Sequence, residues 1–285
     1  MKSSSLMPLD PAFFREVVRR ALAEDLGWGD VATELTVVPD AQAKATVTAC
    51  QACVIAGLDV ASEVFRQLDP AVRVTTHIAD GESCPSDSLV VEFDGAAPAL
   101  LTAGNTAMNF LQRLTGIATL TRRFVTASNN GPAVLDTRST TPTLRTLEKY
   151  AVRAGGGVNN RMTLDDGILL ERAHIRFAGG ISQALSKALG AGKDLPVAIE
   201  VQNAADAQEA IDAGAMRLLV DVAYLPCLPD IVRQARGRAQ VQVGGAVREE
   251  HFVDLAKSGA DLVSVKALTQ SAPAVLLRLD VLPLG

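Results

Sequence analysis

The sequence predicts an α/β protein in which a small α/β domain precedes a closed or nearly closed β/α barrel. Three observations predict it. Six short strand candidates alternate with helical segments after residue 132, and such alternation implies parallel strands joined by right-handed crossovers. The strand candidates are almost wholly apolar, which implies burial on both faces. Most of the helical segments end at or near a glycine, namely Gly155, Gly190, Gly214, Gly237 and Gly259, as helix C-termini prefer. Six such units favour a barrel over a single dinucleotide-binding unit, and no G-x-G-x-x-G follows a strand.

The small domain occupies the first third. Phe14, Val17, Val18, Ala21 and Leu22 have helical spacing, so a helix is predicted over Phe13–Leu26, ended by Gly27 and Gly29. Alternating Thr and Val predict a strand over Lys44–Ile55. A helix follows at Val60–Leu68, then strands at Val72–Ile78 and Leu89–Phe93, the last after the turn residues Pro85, Ser86 and Asp87. A long helical stretch runs over 100–128, with Gly116 near its middle as a break or bend and Asn129-Asn130-Gly131-Pro132 closing it. The domain boundary is placed near Gly116. In the barrel, strands are predicted at Ala133–Asp136, Gly167–Glu171, Pro196–Val201, Arg217–Asp221, Gln240–Gly244 and Asp261–Lys266. Helices are predicted at Leu144–Ala154, Ile181–Leu189, Ala204–Ala213, Leu228–Ala235 and Arg248–Ser258.

The 285 residues suffice for a barrel plus a small domain. Aromatic residues are only 4%, so the core must be built from Ala, Val, Leu and Ile. A formal net charge of −5 argues against broad binding to nucleic acid or anionic membranes. No apolar run reaches the roughly 18 residues of a membrane span. Met1–Asp10 lacks a basic segment followed by an apolar one, so no signal peptide is expected and the chain reads as cytoplasmic. Cys50 and Cys53 form a C-x-x-C, but no second pair and no paired histidines accompany it. The segment reads instead as small apolar side chains in a half-buried strand.

In a β/α barrel the active site forms at the C-terminal ends of the strands. Glu200 and Asp221 end adjacent strands after apolar runs. Such carboxylates suit Mg2+ or sugar hydroxyls, or else a salt bridge or loop cap. Gly244-Gly245 follows a strand and precedes the helix predicted from Arg248. Its backbone N–H groups and the helix dipole can hold a phosphate, though a glycine pair is also a plain turn. Lys266 and the Thr269 hydroxyl follow the next strand, where barrels often bind phosphates. Arg138, Arg161 after the Gly155-Gly156-Gly157 loop, and Arg172 can converge on an anion, because a guanidinium gives two parallel hydrogen bonds to carboxylate or phosphate. Each arginine could equally form a surface ion pair. Together these features point to a polyanionic substrate, a metal and a phosphate grip.

Six segments carry a resemblance. LDTRSTTPTLRTLEKYAVRAGGGVNNR at 135–161 resembles the signature of the quinolinate phosphoribosyltransferase family. So do ALAEDLGWGD at 21–30, NFLQRLTGIATLT at 109–121, IEV at 199–201, GADLVSVKALTQSAP at 259–273 and the Gly244-Gly245 turn. The likeness covers nearly the whole chain in the right order. It implies the type II phosphoribosyltransferase fold: an N-terminal α/β sandwich at 1–116, joined by 274–285, and an open C-terminal α/β barrel at 117–273. It also implies a homodimer or higher homo-oligomer, with active-site residues lent across the interface. The implied reaction joins phosphoribosyl pyrophosphate (PRPP) and quinolinate, with Mg2+, into nicotinate mononucleotide, CO2 and pyrophosphate. By resemblance, Glu200 and Asp221 are the acidic pair at the ribose and metal. Arg138 and Arg161 face the acceptor's carboxylates, Gly244, Gly245, Lys266 and Ala267 lie at the phosphates, and His174 matches a histidine after the second barrel strand.

The chain departs from the family pattern at several of these positions. Ser139 stands where the family usually has lysine, Asn160 where it has histidine, and Glu171 where it has lysine. Asn105 replaces the arginine that the long helix lends to a partner subunit, Val243 replaces a serine, and Lys266 a glycine. Arg172, next to Glu171 in an extended strand, points to the opposite face. Four of these changes remove basic or proton-donating groups; a charge-assisted hydrogen bond contributes about 1.5–3 kcal/mol, so they weaken the grip on a dianion, whereas Lys266 adds one positive charge at the phosphate end. Three functions fit: the family's own reaction, the same chemistry on a less acidic heteroaromatic acceptor, or ligand binding without catalysis.

Overall fold

The computed structural model describes residues 6–284. Met1–Ser5, part of the stretch read above for a leader, and Gly285 lie outside them. The described chain divides into two compact units. One is the chain up to Arg122 with Thr141–Gly156 and the segment from Ala272; the other is Arg123–Thr140 with Gly157–Ser271. Among the described residues no helix is long and apolar enough to cross a membrane.

The first unit contains α1 (Arg15–Leu26), α2 (Val31–Thr36), β1 (Gln42–Ala49), β2 (Cys53–Val54), α3 (Leu58–Leu68), β3 (Arg73–Thr76), β4 (Ser83–Cys84) and β5 (Leu89–Ala96). It also holds α4 (Ala97–Ser128) as far as Arg122, α5 (Arg145–Ala154) and β12 (Leu277–Pro283). An antiparallel sheet of order β12-β1-β5-β3 forms its core layer. Ala43, Ala45, Val47 and Ala49 are buried on one face of β1, while the intervening Lys44, Thr46 and Thr48 are partly exposed. This alternation is what a strand with one covered face requires.

The strand predicted over Lys44–Ile55 is two strands. The chain bends after Ala49, and β2 pairs with β4 in a separate ribbon, Cys53 opposite Cys84. Both thiols are buried, and burial pushes the Cys53 thiol up to about 12.

The break or bend predicted at Gly116 is absent, and α4 runs through it as one helix. A Cβ on Gly116 would stand 2.1 Å from the carbonyl oxygen of Pro273. Glycine is there so that the C-terminal segment can pass close to the helix. Leu100, Ala103, Ala107, Leu111, Leu114 and Ile117 bury the stripe that holds α4 in this unit.

Two carboxylates of this unit are each supplied with several donors. Glu148 on α5 is fully buried and accepts from Arg113 Nη2 at 2.9 Å, Thr141 N at 3.0 Å and Thr141 Oγ1 at 2.7 Å. Asp80 accepts from Gly57 N at 2.8 Å, Leu58 N at 3.3 Å and the Tyr150 hydroxyl at 2.7 Å, so it caps α3 from a distant loop. Burial nevertheless holds the Asp80 carboxyl above its ordinary range.

The second unit is the β/α unit. Its strands are β6 (Ala133–Leu135), β7 (Ile168–Leu170), β8 (Val197–Val201), β9 (Arg217–Asp221), β10 (Gln240–Gly244) and β11 (Leu262–Ser264). Its helices are α6 (Arg172–Ala178), α7 (Ile181–Gly190), α8 (Ala204–Asp212), α9 (Leu228–Ala235), α10 (Phe252–Leu255) and α11 (Ala267–Gln270). The six-stranded parallel sheet has the order β6-β11-β10-β9-β8-β7. This is the cyclic order of a barrel opened at one seam, between β6 and β7. Val158 bridges to Leu135 beside β6, and buried Asp136 accepts from Asn160 N at 2.8 Å and Asn159 Nδ2 at 2.5 Å.

The strands are not equally covered on both faces. Ile199, Val201, Leu218, Val220, Val241, Val243 and Val263 form a wholly buried face. The alternate positions, among them Glu200, Leu219 and Gln242, line cavities inside the curved sheet. The two-residue period of a strand therefore puts polar chemistry on the inner face and apolar packing on the outer one.

Candidate active site

Strand register assembles the site in layers. Glu200 pairs with Leu219, and Leu219 with Gln242. One step higher on the same face, Asp221 pairs with Gly244. These side chains and the loops beyond them line a cavity of about 360 Å³. Its walls are Thr137, Arg138 and Ser139 after β6; Asn160 and Arg161 before β7; Leu169 and Glu171 on and after β7; Gly245 after β10; and Ser264 and Lys266 on and after β11.

Each carboxylate of the pair is held by one backbone donor. Glu200 Oε2 accepts from Arg172 N at 3.1 Å, and Asp221 Oδ1 accepts from Ala223 N at 2.9 Å. Among the described residues neither Glu200 Oε1 nor Asp221 Oδ2 has a hydrogen-bond donor. Gly245 has φ +88, and a Cβ there would lie 2.3 Å from Asp221 Oδ2. Position 245 thus needs glycine twice, for its backbone and for the carboxylate against it.

The lining carries three cations, Arg138, Arg161 and Lys266, and three anions, Glu171, Glu200 and Asp221. Arg161 spends Nη1 on the carbonyl of Gly167 at 2.9 Å, which fixes its guanidinium. The Thr137–Thr140 loop is bent on itself: Ser139 N donates to Thr137 Oγ1 at 3.0 Å and Thr140 N to Arg138 O at 3.0 Å.

Several predicted positions take other places. Arg172 is not the next residue of an extended strand. It opens α6, reaches Tyr224 Oη with Nη1 at 3.1 Å, and does not line the cavity. His174 Nδ1 accepts from Glu171 N at 3.2 Å, turned back on the start of its own helix. Asn105 stands exposed on α4 in the first unit. Ala267 begins α11 behind Lys266 and is outside the lining. The Thr269 hydroxyl is buried and donates to Ser139 O at 2.7 Å, so it braces the Thr137–Thr140 loop instead of gripping a phosphate. The helix predicted over Arg248–Ser258 is a 3-10 turn (Glu249–His251) followed by the four-residue α10. An anion at Gly244-Gly245 therefore relies on local N–H groups more than on a helix dipole.

Thr137, Gln242 and Ser264 are lining residues that the sequence reading missed. Gln242 Nε2 donates to Ser264 Oγ at 3.0 Å across the cavity floor. The signal for them is the strand period: each of Gln242 and Ser264 lies two residues before a predicted site residue, Gly244 and Lys266.

Two carboxylates with an oxygen each to spare match the protein share that Mg2+ usually takes, the rest being water and substrate oxygens. With cations and N–H groups around them, the arrangement suits a phosphorylated sugar and an anionic partner.

Comparison with known proteins identifies the family. The N-terminal domain of quinolinate phosphoribosyl transferase matches residues 30–115, and the C-terminal domain of the same family matches residues 117–280. A Bacillus subtilis protein named as a probable nicotinate-nucleotide pyrophosphorylase (carboxylating) is 33% identical over 273 residues, covering 94% of this chain and 93% of that protein. The crystal structure of NadC from Streptococcus pyogenes superposes with a TM-score of 0.94 at 34% identity, over 98% of this chain and 100% of the other. The nicotinate-nucleotide pyrophosphorylase from Francisella tularensis superposes at 0.92 and 34% identity, over 99% and 100%. With both domains matched in order and relatives aligned over most of its length, this chain belongs to the quinolinate phosphoribosyltransferase family.

Proposed function

We propose that the chain transfers the phosphoribosyl group of PRPP to the ring nitrogen of quinolinate, forming nicotinate mononucleotide, CO2 and pyrophosphate, a step of NAD biosynthesis. The observation that carries this is Glu200 and Asp221 at neighbouring strand ends of one cavity that also holds Arg138 and Arg161, in a chain whose relatives are named for this activity. The ring nitrogen bonds to the sugar carbon as the bond from that carbon to pyrophosphate breaks. Loss of the 2-carboxylate as CO2 leaves an electron pair on the ring that takes a proton. Positive charge grows on the sugar carbon at the transition state, and the fixed carboxylates of Glu200 and Asp221 stabilise it. Arg138 and Arg161 hold acceptor carboxylates, while the N–H groups of Gly244 and Gly245 and the Lys266 ammonium hold the 5′-phosphate. Glu200 and Asp221 would hold Mg2+, which when bound neutralises the leaving pyrophosphate. The proposal includes a cytoplasmic homodimer. The test is incubation of the purified chain with quinolinate, PRPP and Mg2+. Nicotinate mononucleotide and CO2 should appear in equal amounts, and unconsumed PRPP would sink the proposal.

A second reading is favoured by one observation, Glu171 in the cavity lining, where its charge opposes a dianion. It predicts the same transfer to a less acidic heteroaromatic acid. A monocarboxylic pyridine turned over with a higher kcat/KM than quinolinate would establish it.

A further inference from the structure

Beyond the cavity lining, three strand ends are tied together at one oxygen. The Tyr224 hydroxyl accepts from Gln202 Nε2 at 2.5 Å and from Arg172 Nη1 at 3.1 Å. Arg172 follows β7, Gln202 follows β8, and Tyr224 sits in the 3-10 turn that Asp221 starts after β9. Arg172 also gives its backbone N–H to Glu200 Oε2 at 3.1 Å. Gln202 lies two residues beyond Glu200, just past the end of β8.

We infer that Tyr224 is a positioning residue for Glu200. Its hydroxyl anchors an exposed arginine whose side chain would otherwise sample many rotamers. With that side chain fixed, the first N–H of α6 stays on one oxygen of Glu200, and the other oxygen stays aimed into the cavity. Gln202 closes the loop, because it ties the strand that carries Glu200 to the same phenol. Neither Arg172 nor Tyr224 lines the cavity, so the effect on ligand passes through the carboxylate. This inference rests on the reading of Glu200 as a holder of the sugar and its cation.

Tyr224→Phe removes the hydroxyl and keeps the ring. Calorimetric titration with PRPP in the presence of Mg2+ should show binding weakened about tenfold, the scale of a lost hydrogen bond in the link. Half-saturating Mg2+ in the reaction should rise, while KM for the acceptor and the melting temperature stay near their parent values. Arg172→Ala should give the same pattern. The double variant should lose no more than the larger single loss, because both residues act through one link. Unchanged PRPP binding in Tyr224→Phe, equal losses in PRPP and acceptor binding, or additive losses in the double variant overturn the inference. If Tyr224→Phe does not fold, Arg172→Ala alone decides it by the same split. A parent chain that binds no PRPP overturns the proposed function, and the inference with it.

Discussion

Glu148 and the Glu200–Asp221 pair are acids of the same kind in opposite circumstances. Glu148, in the first unit, is fully buried and receives donors from Arg113 and Thr141 on both of its oxygens. Glu200 and Asp221, in the second, are each held by a single backbone N–H and face a cavity. The first arrangement meets the rule that a buried charge must be paired and hydrogen-bonded. The second leaves acceptor capacity for a ligand. The difference teaches that an acidic side chain names no role by its type alone. The role follows from whether the chain itself fills the carboxylate's hydrogen-bonding positions.

The comparison breaks first at Glu148. Glu148→Ala removes the carboxylate that Arg113 and Thr141 share, leaving Arg113 with the carbonyl of Ala272, and should destabilise by about 3–5 kcal/mol, read as a lowered urea midpoint. A shift under about 1 kcal/mol would mean the network is dispensable. Next, Glu200→Gln and Asp221→Asn keep the shape and remove the charge. Each should lower kcat/KM by about a hundredfold or more while moving the urea midpoint little. A large loss of stability with turnover preserved would make these acids structural, like Glu148.

The third prediction sharpens the contrast inside the cavity. Ser139→Lys with Glu171→Lys adds two cations and removes one anion from its wall. Quinolinate affinity should rise by about tenfold or more, from one new charge-assisted hydrogen bond of about 1.5–3 kcal/mol. Glu171 is also the N-cap of α6, so the variant should lose about 0.5–2 kcal/mol of stability with the cap. Steady-state kinetics at fixed Mg2+ and ionic strength test it. If the parent already turns quinolinate over with kcat/KM of about 10⁴ M⁻¹s⁻¹ or above, the absent lysines are dispensable.

Legibility in the sequence followed the strength of local signals. β9, β10 and α9 have the predicted bounds, since each is a short apolar run or stripe closed by Asp, Gly or a proline-led start. α6 went unseen because R-A-H-I-R-F-A has no buried residue and hence no apolar stripe. That omission misplaced Arg172: a strand would turn it away from Glu171, whereas the helix start turns its N–H to Glu200. β12 alternates Leu277, Leu279 and Val281 with Arg278 and Asp280, so its signal was present. Its partner β1 lies far away in sequence, and no local pattern names a partner.

The sequence by itself determined the alternation of strands and helices, the glycine punctuation, the family, and the strand ends where chemistry collects. These rest on residue types at short range, where sterics and the 2.0 and 3.6 periods act directly. Tertiary structure alone decided that Gly116 packs against a carbonyl instead of ending a helix. It alone turned Thr269 to brace a loop, and left Glu200 with an oxygen to spare where Glu148 has none. Those outcomes depend on which donor from a remote segment reaches a given oxygen, and that is set by the packing of elements far apart in the chain.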